Sequence, residues 1–162
     1  MAIRVFIYSL LVISIISFFS SIDNNKNEKN EKDIALLSFK NSTMYTLDDK
    51  QVIRIVQSDD AIRYKTRDEM FNGTFYLRSE SKKSSDLPDI ISADFIEKTG
   101  PNLKFVDHVD YNRDDLVTLK TDILHYNLDT KIAYNNKPFI ATYYGDYLIG
   151  SKLYMDTNKT YF

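Results

Sequence analysis

This sequence contains no cysteine, and that absence removes a disulfide framework, a thiolate zinc site and a lipid-modified cysteine anchor together. Four glycines and three prolines stand against twelve tyrosines and ten phenylalanines, a balance that favours pleated structure over low-complexity coil. A net charge of −2 offers no concentrated excess of Lys and Arg, so no nucleic-acid partner is expected. The only histidines, His108 and His125, lack an HExxH or triad-like setting and read as ordinary strand residues. No glycine-rich phosphate loop is present. The acidic pairs Asp48-Asp49, Asp59-Asp60 and Asp114-Asp115 read as turn residues bonding their own backbone rather than as cation ligands. No catalytic residue, metal site or cofactor is expected, and the chain does not read as an enzyme.

One long apolar run is present. Val5 to Ile22 carries no charge and would span about 27 Å as a helix at about 1.5 Å per residue. It reads as an uncleaved transmembrane anchor over 1–22. A cleaved secretory signal peptide is the competing reading, opposed by Phe18 or Phe19 where cleavage wants a small side chain. Arg4 keeps the amino terminus cytoplasmic and sends the remainder across the membrane. Ser14, Ser17 and Ser21 share one helix stripe, a small-residue face that another membrane helix could approach closely. Residues 23–38 are expected to be a solvated tether, because Asp23 to Asp33 has nothing apolar to bury.

From residue 39 to 162 the patterning is that of an all-β domain of ten or more short strands. Met44 to Leu47, Asp48-Asp49-Lys50 and Gln51 to Val56 form a first strand, turn and strand. Phe71, Phe75 and Leu77 are expected on one side of a later strand, with Gly73 between them. The organising stretch is Leu116 to Ala133. Val117, Leu119, Thr121 and Ile123 alternate with polar neighbours, and then the phase jumps to Leu124, Tyr126 and Leu128. Near Asp122 the chain therefore either bulges or ends one strand and begins another. Asn127-Leu128-Asp129-Thr130 then supplies a reversal into Ile132-Ala133-Tyr134. The same plan recurs about 28 residues upstream, with Asp94 where this unit has Asp122, and again downstream over Leu153 to Lys159.

The segments Leu-His-Tyr-Asn-Leu-Asp-Thr-Lys-Ile-Ala (124–133) and Gly-Asp-Tyr-Leu-Ile-Gly-Ser-Lys-Leu (145–153) resemble the repeat of the LptA/LptC/OstA-like superfamily. With the anchor and tether, the arrangement resembles its membrane-anchored LptC branch over about 39–162. The resemblance implies a β-jellyroll, an open β-sandwich of OstA-like repeats, behind a single transmembrane helix. It implies lipopolysaccharide transport in outer-membrane biogenesis of a Gram-negative cell. The protein would take lipopolysaccharide from the subunits of an inner-membrane ABC transporter and relay it to the periplasmic bridge protein LptA. The serine stripe would face that transporter. Candidate interior residues for lipid binding, assigned by alternation, are Phe75, Leu77, Phe95, Phe105, Leu119, Leu124, Tyr126, Phe139 and Leu153. Candidate partner edges are Ser42, Thr43, Met44 and Tyr45 upstream and Ile149, Gly150, Ser151 and Lys152 downstream. Gly150 either leaves room for a neighbouring strand or marks a bulge. A membrane-tethered or secreted β-sandwich adhesion or scaffold module with no lipid ligand is the alternative.

Overall fold

The computed structural model describes residue 8 and residues 34–49, 51–78, 88–113 and 117–157. Apart from residue 8, the expected anchor, with its serine stripe, lies outside these residues, as do residues 23–33 of the tether. Among the described residues, no helix is long and apolar enough to cross a membrane.

Among the described residues ten strands follow in order: β1 (Leu37–Leu47), β2 (Val52–Arg63), β3 (Asp68–Leu77), β4 (Asp89–Thr99), β5 (Asn102–Arg113), β6 (Val117–Asn127), β7 (Ile132–Asn135), β8 (Phe139–Tyr143), β9 (Asp146–Gly150) and β10 (Leu153–Asp156). Every pairing is antiparallel. The first six strands run 10 to 12 residues and are not the short strands expected. Their length comes from turning a corner midway.

The corner is visible in which residues are buried. Inward positions step by two along each strand and then by three, from Ser58 to Ala61, Met70 to Gly73, Ala93 to Ile96 and Thr121 to Leu124. In β5 the step is four, from Phe105 to Val109, because β5 carries one extra residue against both neighbours. Asn41, Asn72, Asp107 and His108 have φ of 48°, 48°, 61° and 48°, the left-handed region that Asn, Asp and His enter most readily among non-glycine residues. Register aligns these positions into one line across the sheet, Asn41 beside Asp59, Asp59 beside Asn72 and Asn72 beside Asp94. Side chains face outward there and bond across strands: Asn72 Nδ2 donates to Asp59 Oδ2 at 2.9 Å, and His108 Nδ1 lies 2.6 Å from Asp94 Oδ2. Asp59 and Asp60 are thus strand residues, not the turn residues expected, because a bend inside β2 needs the same polar outward side chains as a turn.

The phase jump at Asp122 is this corner, and β6 continues through it. Asp94 occupies the same place in β4, so the repeat is structural: Ile91, Ala93 and Ile96 are buried where Leu119, Thr121 and Leu124 are. Past β6 the corner becomes a complete break. Residues 117–121 of β6 pair with β8, which pairs with β9; residues 125–127 pair with β7, which pairs with β10.

The result is two arms, each of eight strand segments, joined through six continuous strands and diverging at β7 to β10. The arms face one another. Phe75 of the upper arm (73–77 of β3) meets Phe105 of the lower arm (102–106 of β5) edge to face at 5.6 Å. Between them lies one hydrophobic core that includes Ile91, Ile96, Phe105 and Leu124, none with exposed surface. Burying a side chain of this size contributes about 1.5–3 kcal/mol. Asn127 closes the β6–β7 turn as its composition suggests, with Oδ1 accepting from the amides of Asp129 and Thr130 at 3.0 and 2.8 Å. The first hairpin is closed by Asp48 Oδ1, which accepts from the Gln51 amide at 2.8 Å.

Candidate functional site: an apolar interior between two open edges

Seven of the nine residues expected inside, Phe75, Leu77, Phe105, Leu119, Leu124, Tyr126 and Leu153, are buried in the core between the arms. Phe139 is half-buried and packs against that core. Phe95 is a correction: it lies on the outer face, its ring 5.3 Å from that of Phe71, which is likewise outside. Both follow from the corner, since Asn72 and Asp94 each shift the alternation by one residue.

At the β1 end the interior opens. A cavity of about 570 Å³ is lined by Phe39, Met44, Ala61 and Met70, with Arg63 and Asp68 at its margin. That size suits part of an amphiphile. Arg63 Nε donates to Asp68 Oδ1 at 2.7 Å, and the guanidinium holds Asp68 below the usual carboxylate range despite partial burial. Sequence pattern did not anticipate this mouth, because the Arg63–Asp68 pair spans a hairpin.

The free margins of both arms are tied by a polar cluster equally invisible in the sequence. Arg113 donates through Nε to Asp89 Oδ1 at 2.9 Å, and through Nη2 both to Asp89 Oδ2 and to the Thr157 carbonyl at 3.0 Å. Tyr111 donates its hydroxyl to Asp89 Oδ2 at 3.3 Å. Burial, and then the Asp89 charge, push the Tyr111 hydroxyl well above its ordinary value. Thr157 also meets the Tyr126 hydroxyl at 3.3 Å. Arg113 belongs to the upper arm and Thr157 follows the last strand of the lower arm, so the contact is a clasp between them. At the break between β7 and β8, buried Asn135 donates to Thr121 Oγ1 at 2.8 Å and accepts the Leu153 amide at 3.0 Å.

Edge strands bound the interior on both sides. Among the described residues, β1 pairs with β2 alone, β9 with β8 alone and β10 with β7 alone. Ser42 and Met44 face partly inward, the former bonded to Ser58 Oγ at 2.8 Å, whereas Thr43 and Tyr45 are exposed. Ile149 is exposed on β9, and Ser151 and Lys152 occupy the break before β10. Gly150 has a reason of a different kind from either one expected: a Cβ there would sit 2.5 Å from Cε1 of Phe139, which lies across it.

His125 stacks on Tyr134 at 4.8 Å on the outer face, and desolvation lowers its pKa. Among the described residues, His108 bonds Asp94 and His125 stacks on Tyr134, and neither contact joins a nucleophile. Among the described residues, no group of three or more His, Asp or Glu side chains is placed to hold a metal ion. In comparisons with known proteins, no family model matches this chain and no curated protein shows significant similarity to it.

Proposed function

We propose that this chain is a membrane-tethered carrier of lipopolysaccharide in the LptC manner: a β-jellyroll behind one transmembrane helix over 1–22. In this reading the helix sits in the inner membrane beside an ABC transporter, and the β-domain lies in the periplasm and hands lipid to the bridge protein LptA. It performs transfer without chemistry and needs no cofactor. The observation that carries the reading is the two-armed sheet, with an apolar interior that runs from an open cavity at β1 to a split end at β7 to β10. Acyl chains gain the same burial that a core residue gains, about 0.8 kcal/mol per methylene, while sugars stay in water. The edges at β1 and β9–β10, unpaired among the described residues, support relay, since main-chain donors and acceptors left open on a sheet edge recruit a partner strand.

A lipid-free scaffold module is the second reading, and the complete burial of Ile91, Ile96, Phe105 and Leu124 favours it, because a filled core needs no ligand. The two are separated by placing a photo-crosslinking residue at Met44, which lines the cavity. Capture of lipopolysaccharide in cells, with the same lipid copurifying by mass spectrometry, is the expected result. A folded variant that never captures lipid, from protein that copurifies with none, returns the chain to the scaffold class.

A further inference from the structure

We propose that the open cavity at β1 takes an anionic amphiphile by a single chain, and that Lys98 and Arg63, at the strand ends beside it, bind the charged head. Strand register sets both cations on the inner face. Arg63 lies opposite Asp68, Asp68 opposite Lys98, and Lys98 opposite buried Leu103. The next inward row is Phe39, Ala61, Met70 and Ile96, all apolar and directly paired from strand to strand. One apolar row therefore ends on one charged row. The cavity of about 570 Å³ is lined by members of both, Phe39, Ala61 and Met70 from the first and Arg63 and Asp68 from the second.

The charged row holds more cations than its own carboxylate satisfies. Arg63 takes both oxygens of Asp68, Nε donating to Oδ1 at 2.7 Å and Nη2 to Oδ2 at 3.0 Å. Lys98 Nζ stands 4.0 Å from Oδ2, beyond hydrogen-bonding distance, and among the described residues no acceptor takes a hydrogen bond from it. A second hollow of about 230 Å³ at the strand ends shares Arg63 and Asp68 with the first and adds Lys65, Lys98 and Gly100. Arg67, also on its wall, is engaged by Glu69 at 2.7 Å. That leaves Arg63, Lys65 and Lys98 against Asp68, a local reversal of sign in a chain of net charge −2. An oxyanion placed here gains the open donors of the Lys98 ammonium and shares the Arg63 guanidinium with Asp68. Met44 and Met70 on the larger cavity are side chains that adapt to a flexible chain. The chain half of this assignment rests on the proposed lipid-carrying interior; the anion-binding rim does not.

The test uses the full chain in neutral detergent, freed of copurifying lipid, and titrates it by calorimetry with dodecyl phosphate, dodecanol and inorganic phosphate. Dodecyl phosphate is expected to bind about tenfold more tightly than dodecanol, the scale of one charge-assisted hydrogen bond. Lys98→Gln should remove most of that preference, Lys98→Arg should keep it, and Arg63→Gln should remove part of it. Asp68→Asn should widen it, because the resident carboxylate competes with the head group for the same cations. Opposite effects at neighbouring residues separate binding from a merely structural ion pair. Each variant is first checked for its β-sheet circular dichroism. Equal affinity for the two amphiphiles, or a preference untouched by Lys98→Gln, overturns the charged rim and leaves the lipid-carrying interior standing. Binding of inorganic phosphate with neither amphiphile bound overturns the proposal and the lipid-carrying interior together, as does failure of all three probes.

Discussion

Single residues in this protein owe their identity to neighbours that sequence order conceals. Gly150 is a glycine because the Phe139 ring crosses it on the paired strand β8, and the two are in register. Gly150→Ala brings a methyl group to 2.5 Å from Cε1 of that ring, which must tilt away. A loss of about 1 kcal/mol is expected, at the low end for overpacking because the ring's far end can move. Denaturant midpoints should show it, and adding Phe139→Leu should return part of the loss; full additivity of the two changes would argue against the contact. The sequence showed that Gly150 interrupts a strand pattern and could not show what lies across it. Arg54, on the inward face of β2 opposite buried Leu77, is a similar case, since nothing in Val52-Ile53-Arg54-Ile55 distinguishes a guanidinium facing the interior from one facing water.

At the scale of the element, the corner decides how each long strand behaves. A strand that bends at the corner, through left-handed residues in β1, β3 and β5 and without them in β2, β4 and β6, keeps the same physical face inward while its alternation shifts, and this is why Leu124 and Leu119 are both buried although they differ by an odd number. The shift was legible at Asp122 because the apolar residues there are large and regular. It was not legible at Asn72 or Asp94, where Phe71 and Phe95 continue an apparent alternation on the wrong face. His108 ties the corner of β5 to that of β4, and the hydrogen bond to Asp94 raises its pKa. A raised folded-state value means that the stabilisation is complete below the unfolded imidazole value and is lost as pH rises through the folded one. His108→Asn preserves the residue's tolerance of positive φ and removes the charge. The melting-temperature difference between wild type and this variant should therefore shrink as pH rises from about 5 to about 8 around the imidazole range. A difference independent of pH would mean that the corner does not depend on the imidazolium.

For the whole molecule, the arms are joined on one side by six continuous strands and on the other by the Asp89–Arg113–Thr157 clasp. Arg113 and Asp89 expose only 12% and 6% of their side chains, so removing one partner strands a buried charge. Asp89→Asn is expected to cost about 3–5 kcal/mol, and the double replacement Asp89→Leu with Arg113→Met less than that, read by chemical denaturation. Costs that simply add would place the pair outside the clasp role. The amino-acid sequence by itself determined the β class, the polar stretch after the apolar run, the Asn127 turn, the 28-residue repeat and most of the buried side chains, because period and turn chemistry act over a few residues. Only the tertiary structure decided that the polar breaks in β1 to β6 line up as one corner, that Phe95 faces outward, and that Asp89 meets Arg113 across 24 residues. Those outcomes depend on strand register and on burial between separated segments, and neither quantity exists until the arms have folded against each other.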